Sequence, residues 1–419
     1  MKRFITLLIL LSVLLCSAAC RSSDTPDNPS PAGSKIPEDS ANQPVSSDTE
    51  TSETQPPESK EKRISFLCCG DNIGHESVYT DAKNRADANS YPYNFLPMYD
   101  GIRTLLDSAD LKFVNQETVT ADASFGYHGY PNFNTPQDMG RTLVDLGFDI
   151  VNIASNHMLD MRAAGLASTI AFWKTQDIFM IGGYEDQTDY DTVRVLEYEG
   201  VKIAFLSYTY GTNGMVLDAG SDLIIPYIDE DDIRRQVQMA KEISDLVFVS
   251  MHWGTDSSLT VTDSQKQLAE LLTELEVDAV IGHHSHTLQD MEWKTSDSGH
   301  KTLVIYSLGN LLHSMYYDTA YTANYCFLVG GIATFDIVVD EDGAISIENP
   351  LYRPTVCHYT KDPTGKFHAA NFCVYELSDY TQELCASHGA QVQHKFDLDD
   401  LYDYVRDQVS PEFLPDAYR

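Results

Sequence analysis

Six short apolar runs, each carrying Asp, Asn, Glu or His at its end, limit what this chain can fold into more than any other feature. They are ISFLCCGDN (64–72), LKFVNQE (111–117), FDIVNIASNH (148–157), DLVFVSMHW (245–253), DAVIGHHSH (278–286) and TLVIYSLGN (302–310). Runs of this length, rich in Val, Ile and Phe and bounded by polar residues, read as buried strands. Segments 98–109, 136–147, 162–176, 230–244 and 263–276 lie between them and space their apolar residues as amphipathic helices do. The alternation predicts an α/β domain of βαβ-like units. Ligands in such sheets bind beyond the carboxyl ends of the strands, so the polar run ends should converge on one site. Two hairpins are also expected, one turning at Glu199-Gly200 and one within 330–352.

Composition narrows the partners. The 419 residues include 63 acidic and 28 basic ones, a formal net charge of −35, which argues against a nucleic-acid ligand. The start, MKRFITLLILLSVLLCSAAC, has a basic pair, an apolar stretch and small residues before Cys20. It reads as an export signal of the bacterial lipoprotein type, with Cys20 the lipidated residue and the membrane reached through that lipid. Residues 21–62 are crowded with Ser, Thr, Pro and acids and read as a disordered tether. A folded domain is expected over 63–360, followed by an extension over 361–419 to which the sequence assigns no role. Of the eight cysteines, Cys68, Cys69, Cys326, Cys357, Cys373 and Cys385 fall after the tether and show no metal-ligand spacing.

The run ends carry the chemistry. Asp71, Glu117, Asn156, His157, His252, His284 and His286 bring carboxylate, amide and imidazole donors from five separated segments. Such a set suits Zn, Mn or Fe, and a shared carboxylate can bridge two ions. On an extended segment His284 and His286 would point the same way. Taken singly, each residue also fits a structural role: Asp71 in a turn, Asn156-His157 as a helix cap, His252 packed beside Trp253. Together, in that order at strand ends, they point to a metal site.

The blocks GDNIG, VNQET, ASNHMLD, MHWG, GHHSHTLQD and YSLGN resemble those of the capsule-synthesis CapA-like family, associated with poly-γ-glutamate capsules. That family resembles the calcineurin-like metallophosphoesterases, which implies an α/β fold of four layers, α/β/β/α, with two mixed sheets inside. The resemblance implies that Asp71, Glu117, Asn156, His252, His284 and His286 hold two divalent metal ions, Glu117 standing at the bridging position. His157 would protonate the leaving group and Asp160 would orient its imidazole. In the phosphoesterases the first block is Asp-x-His; here Ile73 stands two beyond Asp71, so His75 or His283 is a possible further ligand.

The function implied is a metal-dependent hydrolase on the extracytoplasmic face of the cell membrane. Its substrate would be a phosphoester or an amide of an anionic polymer, and its partners membrane proteins of capsule synthesis. The alternative is a metal-binding but non-enzymatic component of a capsule assembly, export or anchoring complex. The aromatic segment 125–136 is a candidate substrate-facing loop. Arg162 could meet an anionic substrate or begin a helix, and the helix start is the favoured reading.

Overall fold

A computed structural model describes residues 61–315, 324–392 and 394–419, all within one compact unit. The expected signal, Cys20 and nearly all of the tether lie outside the described residues. Thirteen strands are present among those described. The first seven are β1 (Lys62–Asn72), β2 (Leu111–Gln116), β3 (Ile150–Asn152), β4 (Phe179–Ile181), β5 (Arg194–Tyr198), β6 (Val201–Thr209) and β7 (Leu246–His252). The others are β8 (Ala279–His283), β9 (Leu288–Thr295), β10 (Lys301–Leu308), β11 (Val329–Val339), β12 (Ile345–Thr360) and β13 (Ala370–Glu376).

They form two mixed sheets, one ordered β13-β12-β11-β1-β2-β3-β4 and the other β5-β6-β7-β8-β10-β9. Strands β1 to β4 run parallel, as do β6, β7, β8 and β10, while the remaining neighbours pair antiparallel. The sheets face each other across an aromatic seam. Phe66 of β1 meets Phe248 of β7 edge-on with ring centroids 5.3 Å apart, and Phe205 of β6 lies 5.6 Å from Phe248.

Parallel neighbours need crossovers, and with the inner faces occupied by the opposing sheet the crossover helices must cover the outer ones. Helices Glu230–Lys241 and Asp263–Glu274 bury Ile233, Val237, Leu268 and Leu272 against Leu206, Val249, Val280 and Val304 of the second sheet. Helices Gln137–Asp145 and Arg162–Trp173 connect β2 to β3 and β3 to β4 and bury Leu143, Leu166 and Ile170. The result is the expected α/β/β/α sandwich. Both hairpins form as well, β5–β6 turning through Glu199 and Gly200 with φ of 51° and 83°.

Several expectations need correction. Run 148–157 is a strand only over Ile150–Asn152, after which the chain leaves the sheet and carries Asn156 and His157 on a loop. Segment 98–109 is not one helix. It breaks into a 3-10 turn, Leu96–Tyr99, and a single helical turn, Arg103–Leu106. Between them β13 passes so close that a Cβ on Gly101 would sit 2.5 Å from the Val374 carbonyl oxygen. Residues read as an extension supply β13 at the edge of the first sheet and the helix Leu398–Gln408, whose Leu401 and Val405 join the core. Tyr404 Oη accepts a hydrogen bond from the Leu288 amide at 3.1 Å, and the Ser410 amide donates to Asp290 at 2.8 Å, tying this part to β9.

The C-terminal part brings a pH dependence. His358 is buried, its Nδ1 2.7 Å from Tyr380 Oη, and His388 is buried with Nε2 3.2 Å from the Cys357 carbonyl and Nδ1 accepting from the Ala390 amide. Burial pulls His358 down to about 4, and burial together with neighbouring His358 pulls His388 down to about 3. Both stay neutral in the folded chain, whereas the unfolded chain takes up protons below about pH 6.5. The contribution of these two histidines to stability should therefore be level above that pH and fall between 6.5 and 4. Melting curves over this range should show the drop, and His358→Phe should make it shallower; an equally steep drop in the variant would contradict the assignment.

Candidate metal centre and cleft

Strand register sets the centre. β1 and β2 place Asp71 level with Asn115, and β6, β7 and β8 place Thr209, His252 and His283 level with one another. All are at carboxyl ends. A Cβ on Gly70 would lie 2.1 Å from the Gly309 carbonyl oxygen, so only glycine lets β1 approach the 309–311 turn. There the Asp71 amide donates to Gly309 O at 2.9 Å, and the Leu311 amide donates to Asp71 O at 2.8 Å.

Asp71, Glu117 and His286 are buried, and one ligand atom from each lies within 4.8 Å of the others. A relay of buried amides fixes Asp71: Asn152 Nδ2 donates to Asn115 Oδ1 at 2.7 Å, and Asn115 Nδ2 donates to Asp71 Oδ1 at 2.7 Å. The other carboxylate oxygen accepts from the His284 amide at 3.2 Å. His286 Nδ1 is 3.2 Å from Asp71 Oδ2 and 3.0 Å from Asn310 Oδ1. Asn310 Nδ2 donates to the His286 and Phe327 carbonyls, which orients that amide, so Nδ1 faces two acceptors and carries the proton. Nε2 is left toward Glu117 Oε1, at 3.7 Å.

The remaining candidates surround this group. Asn156 Oδ1 and His252 Nε2 meet at 2.8 Å, and the His252 and His284 rings lie 4.8 Å apart. His284 and His286 are also near one another, with ring centroids 5.8 Å apart, but not through strand alternation. β8 ends at His283, and His284 and His286 adopt φ of 95° and 59°, a conformation that costs energy for residues with a Cβ and gathers at functional sites. His283 is fully buried, stacked on Phe113, with Nδ1 3.5 Å from Asp71 Oδ1. His75 stands apart from the three-residue group. Its Nδ1 accepts from the Ser314 amide at 3.1 Å and its ring meets Phe133 edge-on.

His157 is held from behind. Its Nδ1 is 2.7 Å from Asp160 Oδ2, which also accepts from the Phe133 amide at 2.6 Å, while Nε2 points to Glu117 Oε1 at 3.8 Å. Sequence reasoning missed the supports: Asn115 and Asn152, visible as polar strand ends, and Asn310, the last residue of YSLGN. It also missed Tyr210, whose ring lies 4.4 Å from that of His284.

Electrostatics separates the donors. Burial opposes charge on Asp71, but the neighbouring imidazoles of His283 and His286 outweigh it and hold the carboxyl well below its usual range. Burial pushes Glu117 well above its range, against the pull of His286. Burial also works against charge on His286, yet Glu117 and Asp71 raise it to about 10. Burial keeps His252 far down and His284 at about 3, so both are neutral imidazoles, the ligating form. Glu117 Oε2, His252 Nδ1, His284 Nδ1 and both His283 nitrogens are buried with no hydrogen-bond partner. Orphaned polar atoms of this kind are costly unless something meets them. Carboxylates and neutral imidazoles gathered in this way fit a divalent cation.

The group opens onto a cleft of about 1120 Å3. Glu117, Asn156, His157, His284 and His286 line one side, and Gly129 to Phe133 of the aromatic segment another.

These features define a two-sheet α/β protein with a buried acid–imidazole group suited to metal binding. The family model for the bacterial capsule synthesis protein PGA_cap matches residues 65–315, more than half the chain, and the protein belongs to that family. It is similar to the PGA biosynthesis protein CapA of Bacillus subtilis, 29% identical over 192 residues, 43% of this chain and 47% of that protein. It is also similar to the capsule biosynthesis protein CapA of Bacillus anthracis, 26% identical over 185 residues, 43% and 44% of the two chains. The matched part is thus about half the length of each relative. Solved structures that resemble it include the Haemophilus influenzae NAD nucleotidase, with TM-score 0.44 and 12% identity over 85% of this chain and 58% of that one. Another is the calcineurin-like phosphoesterase YfkN from Bacillus subtilis, with TM-score 0.40 and 9% identity over 83% and 97%.

Proposed function

We propose that this protein is a cell-surface hydrolase of capsule polymer synthesis that cleaves a phosphoester or an amide at a dinuclear metal site in the cleft. The observation that carries the reading is the His157–Asp160 pair, 2.7 Å apart. A carboxylate behind Nδ1 fixes the tautomer and leaves Nε2 on the cleft side, the arrangement a general acid needs. Asp71, Glu117, His286, Asn156, His252 and His284 would hold the two ions. Zn, Mn or Fe held there would supply Lewis acidity toward a phosphoryl or acyl oxygen. His157 would deliver its proton to the departing oxygen or nitrogen, and the aromatic loop would hold the substrate.

The substrate in this reading is an anionic polymer such as poly-γ-glutamate, or a phosphoester. Membrane proteins of capsule synthesis are the partners, and a lipid on Cys20 anchors the chain to the extracytoplasmic face. Release of Cys20→Ser from the detergent phase would support the anchor, and its retention there would sink it. One observation favours a non-enzymatic metal-binding component instead: His75 is engaged by Ser314, and Ile73 stands where Asp-x-His would place a ligand. The full-length protein, loaded with Zn, Mn or Fe, should turn over nitrophenyl phosphoesters or γ-glutamyl amides and lose that activity reversibly to a chelator. Metal-loaded protein that turns over neither class would establish the non-enzymatic reading.

A further inference from the structure

The cleft is larger than the roughly 300–1,000 Å3 typical of small-molecule sites, and its acids include Glu76, Glu117 and Asp256. Arg162 is the one residue of fixed positive charge among the described residues that line it. Most arginines among the described residues are paired, Arg234 and Arg162 being the exceptions. Arg63, Arg85, Arg141, Arg194, Arg235 and Arg353 each lie within 3.2 Å of a carboxylate oxygen. Arg162 is exposed and, among the described residues, makes no salt bridge or side-chain hydrogen bond.

Its backbone sharpens the point. Arg162 starts the helix Arg162–Trp173 at φ 58°, in the left-handed region that glycine enters freely and a residue with a Cβ enters at a cost. Starting a helix does not require a guanidinium at such a position. Strain of this kind gathers at functional sites, although turns such as the one at Glu199 carry it too. Asn132 and Asn213 line the same cleft with amide donors, and Asn213 Oδ1 accepts from Asn156 Nδ2 at 3.2 Å, which connects this side to the metal centre.

We propose that Arg162 is an oxyanion-binding residue of the cleft, holding a carboxylate or phosphate of the substrate other than the group that reacts. The forked donors of a guanidinium match either group. A cation at the cleft, together with the ions of the proposed site, would lessen the repulsion that an anionic polymer meets from a chain of charge −35. The assignment rests on the proposed reading of the cleft as the substrate site.

Calorimetric titration of the metal-loaded, full-length protein with a γ-linked glutamate trimer and with a glycerol phosphate trimer tests it, the tighter probe telling carboxylate from phosphate. Arg162→Gly should melt at or above the wild-type temperature and keep its metal, yet bind the preferred probe at least about 10-fold more weakly, as loss of a charge-assisted bond implies. Arg162→Lys should recover part of the affinity. Equal affinity in Arg162→Gly, or no binding of either probe to metal-loaded wild type, would overturn the subsite. Arg162-dependent binding without turnover of any substrate would sink the proposed hydrolysis and keep the subsite; turnover with Arg162-independent binding would do the reverse.

Discussion

Replacing His284 and His286 together with alanine should remove bound metal while leaving the chain folded. The two rings lie 5.8 Å apart at the end of the second sheet, and His286 faces both Asp71 and Glu117. Groups that merely support metal ligands are worth about 10–100-fold in affinity, so losing two ligands should cost at least about 100-fold. The fold should survive because the core lies behind the site, in the aromatic seam and the two helical layers. The substitutions also take His286 away from buried Asp71 and Glu117, leaving Asp71 with His283 at 3.5 Å and Glu117 with His157 at 3.8 Å, so a lower melting temperature is expected alongside an unchanged far-ultraviolet spectrum. Metal content at the wild-type level would contradict the assignment.

His157→Ala should keep metal and fold and lose roughly 10²–10⁴-fold in turnover, the usual contribution of acid–base catalysis. The imidazole does not belong to the Asp71, Glu117 and His286 group, and its Nδ1 is spent on Asp160. The loss should shrink for a nitrophenolate leaving group, which departs with little protonation, and should be largest for an alkoxide or amine. Substituting Asn156 or His252 should instead depress all substrates alike by depleting metal. Asp160→Asn should fall between the two, since its carboxylate both orients His157 and accepts from the Phe133 amide. Full activity of His157→Ala on a poor leaving group would refute the acid role.

The sheets were legible because strand and helix periods differ and each apolar run stops on a polar residue. β4 was not, since three residues carry no period, nor was β13, whose short run follows a polar stretch with no helix to set it off. The expected helix over 98–109 failed for a tertiary reason, the close passage of β13 at Gly101, which local pattern cannot reveal. Within the site, the candidate donors were picked out as polar residue types at strand ends, and the structure carries Asn156, His157, His284 and His286 just beyond those ends, on loops. Their supports were harder to read. Asn115 and Asn152 look like ordinary strand-end residues until register brings them beside Asp71, and the positive φ at His284 and His286 leaves no mark in composition. Arg162 was read as a helix start in preference to a substrate contact; it does start the helix, and it also lines the cleft, which local pattern cannot reveal.

Elemental analysis of the purified full-length protein, before and after dialysis against a chelator, tests the central claim most directly. The account predicts two divalent ions per chain, removed by the chelator and regained from Zn, Mn or Fe, with no recovery in the His284→Ala, His286→Ala double variant. Wild-type protein that takes up no metal under the same conditions, or a double variant that regains as much as wild type, would contradict it.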